Sequence, residues 1–307
     1  MKIETEQLLG SLEVITEPLI GLHDTSYGGY ETFCWEVSQK GDFNIFNLIL
    51  SENFVQAVTP EIVIQNWLKE EQTHSIAPHD RYSIEKPDRE KLLDNSTKAY
   101  RKEKYQHLLQ TLNNNLDSLE GFTIRLSKSK DEDYGCGCFY ILIGKTTDNT
   151  WVVISSTAPQ KYKKIPSWIL CSPFQKNDYQ QLNISLKIVS DIVEILNELK
   201  PLKLAVCYPA GYGYTYDYQL SYAFSVTKSA AFTQALINSR ILSIHNFQGF
   251  LSGYRRQVLT KFLTTNFSNV IVYHLALYDI DYTYILGQVA GADWLGVRIS
   301  RMYEYNP

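Results

Sequence analysis

At 307 residues the chain is long for one domain and suits two, because domains of roughly 100–150 residues are the commonest size. With 44% hydrophobic and 20% charged residues it can build folded cores, and a net charge of -4 gives no bulk electrostatic reason to bind nucleic acid. Tyrosine is the outlier, 22 residues against 2 methionines, which favours strands and polar-aromatic surfaces.

The first residues carry no basic start followed by an unbroken apolar run, and no window of about 18 apolar residues occurs anywhere. A cytoplasmic chain without a membrane segment is therefore expected. Cys34, Cys136, Cys138, Cys171 and Cys207 have irregular spacing and read as free thiols in a reducing compartment.

In chain order, Leu8, Leu9, Leu12, Ile15 and Leu19 keep helical spacing over residues 5–19. A polar loop, 23–29, leads to a strand at 30–37 and, after a turn at 39–42, to a second strand at 43–50, together a hairpin. Thr59 and Pro60 open a helix that carries Trp67. Residues 72–97 form a charged excursion, and a long amphipathic helix covers 99–119 with Tyr105, Leu108 and Leu112 on one stripe. Strands are expected at 122–126, 136–144 and 151–156. After a linker at 159–177 the order starts again, with a helix at 179–199, a strand at 202–208, a Gly- and Tyr-rich run and a strand at 219–227. A short helix at 230–238, a strand at 240–244, a helix at 249–267 and strands at 270–275, 282–287 and 294–300 complete the chain.

The two meanders can be laid over one another. Residues 139–144 match 282–287, and six residues separate Gly144 from Trp151 and Gly287 from Trp294. The same ordering aligns Asn53-Phe54 with Asn246-Phe247, Cys34 with Cys207, and the helix starts at Tyr100 and Tyr254. The expected organisation is a domain at 1–158, a linker at 159–177 and a second, diverged domain at 178–307. Each half reads as helices followed by an antiparallel meander.

Catalytic and metal motifs are sparse. Cys136 and Cys138 are spaced C-x-C rather than C-x-x-C, with no second Cys or His pair at zinc spacing. Gly211-Tyr212-Gly213 lacks the later Gly and Lys of a phosphate loop. His74 and His79 sit in the charged excursion, and no nucleophile motif with an activating base occurs. No enzyme activity, metal or cofactor is expected.

What remains is the loop His23-Asp24-Thr25-Ser26-Tyr27, the mid-chain Trp67, and the tail Tyr303-Glu304-Tyr305-Asn306-Pro307. With the strand ending Trp35-Glu36, the string Phe54, Ala57, Thr59-Pro60 and Trp67, and the strands Tyr140–Gly144 and Val153–Ser155, the first half resembles the nuclease A inhibitor-like family. These are cyanobacterial-type inhibitors of sugar-non-specific nucleases. The resemblance spans roughly residues 6–158, and the second half is similar mainly from 249 onward.

It implies that each half is an α/β (α+β) sandwich with a mainly antiparallel sheet flanked by helices, and that the protein plugs a nuclease active site with an acidic loop residue, a mid-chain Trp and its own terminal residues. Asp24 stands at the acidic position and Trp67 at the aromatic one. The tail ends Tyr-Asn-Pro without the family's terminal hydroxyl residue, and neither half carries the whole plug.

The expected function is thus non-enzymatic protein binding by occlusion of a partner's active site, with a non-specific nuclease as the candidate partner. No nucleic acid or membrane contact is expected. The alternative is an interaction scaffold that uses the Tyr-rich insertion 208–222 as its contact surface. The candidate contact residues across both are Asp24, Thr25, Tyr27, Trp67, Tyr212, Tyr214, Tyr216 and Tyr305.

Overall fold

The computed structural model describes residues 3–19, 29–73, 93–126, 137–159, 186–207, 213–247, 257–278, 280–289 and 292–302. Helices and antiparallel sheets alternate along these, giving an α+β protein. Helix α1 (Ile3–Thr16) is followed by strand β1 (Tyr30–Trp35), a short helix α2 (Val37–Lys40) and helix α3 (Ile45–Ser51). The strand expected at 43–50 is therefore a helix. Asn44 decides it: its side chain accepts the Asn47 N–H at 2.9 Å and caps the helix. Ile45, Leu48 and Ile49 then fall on one buried face.

Strand β2 (Val55–Val58) and helix α4 (Pro60–Thr73) come next, then α5 (Asn95–Asn115), capped by Asp94 accepting from Thr97 N–H at 2.7 Å. Strand β3 (Leu116–Ile124) follows α5 without a loop, so residues 116–119 are strand rather than helix. Leu116 is already extended, with φ -114° and ψ 136°. Strands β4 (Phe139–Thr146) and β5 (Trp151–Ser156) end the first half.

The second half holds helix α6 (Leu186–Glu198), hairpin strands β6 (Leu202–Cys207) and β7 (Gly213–Tyr218), strand β8 (Leu220–Ser225) and helix α7 (Lys228–Asn238). Strand β9 (Leu242–Asn246), helix α8 (Gln257–Asn266) and strands β10 (Ser268–Leu277), β11 (Ile280–Gln288) and β12 (Trp294–Met302) complete it. No described helix is long and apolar enough to cross a membrane. Among the described residues Cys34 and Cys138 are free thiols; Cys136, His74, His79 and the linker beyond Pro159 lie outside them.

The sheets do not follow the expected division at 158/178. One five-stranded sheet runs β1-β12-β11-β10-β9 and the other β8-β5-β4-β3-β2, with β6-β7 as a separate pair. Each large sheet takes its outer strand from the other half: β1 pairs antiparallel with β12, from Tyr30 opposite Ile299 to Trp35 opposite Trp294. Reciprocally, β8 pairs with β5, from Leu220 opposite Ser156 to Ser225 opposite Trp151. The halves thus exchange β1 for β8.

Apart from that exchange, the registers repeat. Lys145 lies opposite Trp151 and Gln288 opposite Trp294. A Cβ on Gly144 would strike the Leu116 side chain, and one on Gly287 would strike Phe267. Each glycine thus makes room for the first side chain after a helix, beside a bulge in the strand pairing.

The helix-to-strand corners repeat as well. Phe54 N–H donates to Ile49 O at 3.0 Å and Ile241 N–H to Leu236 O at 2.9 Å, after left-handed residues at Asn53 (φ 58°) and Arg240 (φ 67°). Arg125 N–H and Ala276 N–H close the two corners on Phe54 O and Ile241 O. Asn53-Phe54 therefore corresponds to Arg240-Ile241, not Asn246-Phe247. Cys34 faces Leu295 where Phe224 faces Val152, so its counterpart is Phe224, not Cys207. The hairpin β6–β7 has no counterpart among the described residues of the first half.

Between the sheets lies one core fed by both halves, including Phe33, Phe54, Phe122, Ile141, Phe232, Leu236, Leu275 and Tyr284. Helices α3 and α7 meet inside it through Phe46 and Phe232, whose rings are 4.9 Å apart. Helices α4, α5 and α6 cover the far face of one sheet around Trp67, Tyr105, Leu142 and Ile192. Helices α1 and α8 cover the other around Leu12, Leu259, Leu263 and Ile285.

Candidate functional site

Two places in the described fold bear on the expected contact residues. The first is the end of the β1–β12 pair. Ser300 N–H donates to Gly29 O at 3.3 Å, so the segment holding Asp24, Thr25 and Tyr27 enters β1 where the segment holding Tyr305 leaves β12. Those four residues lie outside the described ones, and their flanks come from opposite halves of the sequence.

Beside this end, on the sheet face turned from the shared core, is a polar cluster that sequence reading missed. His274 Nδ1 lies 3.0 Å from Thr283 Oγ1, Ser243 Oγ lies 2.9 Å from His245 Nε2, and Arg301 donates to Asp281 at 2.9 Å. Strand pairing assembles it: His274 is opposite both Ser243 and Thr283. Nothing in the spacing of 243, 274 and 283 could announce this, because three strands supply them.

Burial, with the neighbouring His274, holds the His245 imidazole down to about 4, and burial lowers His274 against the opposing pull of Asp281. Both rings are thus neutral in the folded protein at pH 7. Unfolded histidine takes its proton near pH 6.5, so the stabilisation is complete above that value and is lost as pH falls toward 4. Urea midpoints measured from pH 7 to pH 4.5 are expected to fall, with a shallower decline in His245→Gln.

The second place is where the β6–β7 hairpin meets α4 and α5. Trp67 is fully buried, with its Nε1–H donating to Tyr140 O at 3.3 Å and its ring 6.1 Å from that of Tyr105. Its geometry is that of a core residue, not an exposed contact. Tyr216 is also buried, and its hydroxyl donates to Glu70 Oε1 at 2.9 Å. Tyr212 and the side chain of Tyr214 lie outside the described residues.

Next to Glu70, Glu71 receives Arg101 Nε–H at 2.8 Å, Arg101 Nη2–H at 2.6 Å and the Tyr105 hydroxyl at 2.7 Å. Arg101 also donates to Lys200 O at 3.0 Å, which ties α5 to the entry of the hairpin. Burial pushes the Glu70 carboxyl up to about 8, against the Tyr216 hydrogen bond and with help from Glu71. Burial likewise raises the phenols of Tyr105 and Tyr218.

This is a network of acids and tyrosines that pins the inserted hairpin down. A trace of it was present in sequence. Val63, Trp67 and Glu71 recur every fourth residue, so the stripe that buries Trp67 carries a carboxylate into the interior.

Among the described residues no group of three or more His, Cys, Asp or Glu could hold a metal ion. No protein-family model matches the chain, and neither a curated protein nor a solved structure is similar to it.

Proposed function

We propose that the chain is a protein-binding module that occludes a partner's active site, with Asp24, Thr25, Tyr27 and Tyr305 as its contact residues and a sugar-non-specific nuclease as its partner. One observation carries this reading: Gly29 and Ser300 are hydrogen-bonded neighbours. In sequence the acidic loop belongs to one half and the tail to the other, so neither half holds both parts of a plug. Strand exchange brings Gly29 and Ser300, the described flanks of the two segments, to one sheet end, which supports reading the loop and the tail as parts of one contact surface. Trp67 and Tyr216, being interior, have no part in it.

The physical logic is charge mimicry. A nuclease site is built to receive phosphate, and a carboxylate such as Asp24 satisfies the same donors. The test is digestion of DNA by a sugar-non-specific nuclease in the presence of this protein. Slower digestion near equimolar ratio is expected, with Asp24→Asn and removal of residues 303–307 each weakening the effect at least tenfold. Unchanged digestion at large molar excess of the intact protein overturns the proposal.

A further inference from the structure

Lys228, the first residue of α7, reaches across to the other half of the chain. Its ammonium stands 5.3 Å from the ring centroid of Phe46, 5.2 Å from Phe122 and 5.3 Å from Trp151. Glu120 Oε2 accepts from Nζ at 2.6 Å. Three ring faces and a carboxylate around one cation form the arrangement that selects organic ammonium groups, because the negative ring faces attract the charge and the rings contact the alkyl carbons. The arrangement opens to solvent, since the Lys228 side chain is 24% exposed and that of Glu120 is 44%. Lys145 also approaches the Trp151 ring, at 5.9 Å.

The opposite sheet receives a different side chain at the matching position. By register, Tyr273 and Trp294 hold the positions of Phe122 and Trp151. There the element crossing over is a ring: Phe43 lies 5.6 Å from Tyr273 and 4.9 Å from Trp294. Both sheets thus keep an aromatic socket that receives a side chain from the other half, a ring in one and, among the described residues, the Lys228 ammonium in the other.

We propose that Phe46, Phe122, Trp151 and Glu120 form a binding site for a primary or N-methylated alkylammonium group, filled in this structure by the chain's own Lys228. Truncating that lysine leaves a socket of the right charge and shape for a free ligand of the same chemistry.

The probe is n-butylammonium chloride, with n-butanol and sodium chloride as the neutral and ionic controls, titrated against full-length Lys228→Ala. A saturable rise of several degrees in the melting temperature of Lys228→Ala is expected in millimolar butylammonium. Wild type should respond no more than it does to sodium chloride, and Glu120→Gln in the Lys228→Ala background should shrink the rise. If Lys228→Ala does not fold in plain buffer, its refolding yield in butylammonium against butanol reads the same preference. Equal responses to butylammonium and butanol, or equal responses of wild type and variant, overturn the proposal.

Discussion

A single cut between residues 160 and 185 is expected to leave one particle of unchanged size under native conditions, with both fragments eluting together. The reason is the strand exchange. Releasing one fragment would strip β1 from β12 and β8 from β5, and so expose the open edges of two sheets. It would also tear apart the shared core, where Phe33 packs on Tyr284 at 5.4 Å, Phe54 on Tyr282 at 4.9 Å and Phe46 on Phe232 at 4.9 Å.

At about 2–3 kcal/mol per large apolar side chain returned to water, the first half's Phe33, Trp35, Phe46 and Phe54 alone represent on the order of 10 kcal/mol. Polar ties add to this: Arg298 of β12 is paired with Glu31 and Glu52 of the first half. A protease site placed in that segment, followed by size-exclusion chromatography, checks the result. Two tandem domains that fold independently would separate into smaller species, and their appearance would refute the exchange. In urea the cut protein should come apart at a midpoint that rises with its concentration, as mass action requires.

Arg101→Met should destabilise the protein by about 3–5 kcal/mol, because the substitution strands a buried carboxylate. Glu71 is 2% exposed and would keep only the Tyr105 hydroxyl as a partner. Lys200 O would lose its donor as well, loosening the entry to the β6–β7 hairpin. The double variant Glu71→Leu/Arg101→Met removes both charges and should recover most of the loss. Equilibrium urea unfolding of the wild type, the single variant and the double variant measures both steps. A single variant within about 0.5 kcal/mol of wild type would show that water reaches Glu71.

Much of the architecture was legible where chemistry is local. The Gly144–Trp151 and Gly287–Trp294 spacings correspond to identical strand registers, because a glycine that clears a helix-end side chain and a tryptophan that starts the next strand leave a mark in the text. Where two local signals compete, the apolar pattern alone does not decide between them. Phe43, Ile45 and the residues after them satisfy a strand pattern and a helix pattern together, and the Asn44 cap settles the matter for helix.

The exchange itself was illegible. The apolar and polar alternation of β1 would suit pairing with β5 as well as with β12, and hydrophobic pattern carries no information on which half supplies the neighbour. The same holds for the candidate site. Trp67 was visible as a large aromatic at helical spacing, yet its burial depends on Tyr105 and on Tyr140 O, 38 and 73 positions away. The cluster of His245, His274 and Thr283 exists only because three strands lie side by side.

The pairing of Tyr30 with Ile299 has a consequence for how the protein is made. During synthesis from the N-terminus, β1 emerges early, and its docking strand is among the last residues described. Throughout that interval β1 lacks its native neighbour β12, and β5 waits with an open edge until β8 arrives. Such edges are templates for pairing with other chains, and the closure they await spans nearly the whole polypeptide, which makes it slow. A ribosome-bound first half is therefore the species most exposed to edge-to-edge association with another copy of itself.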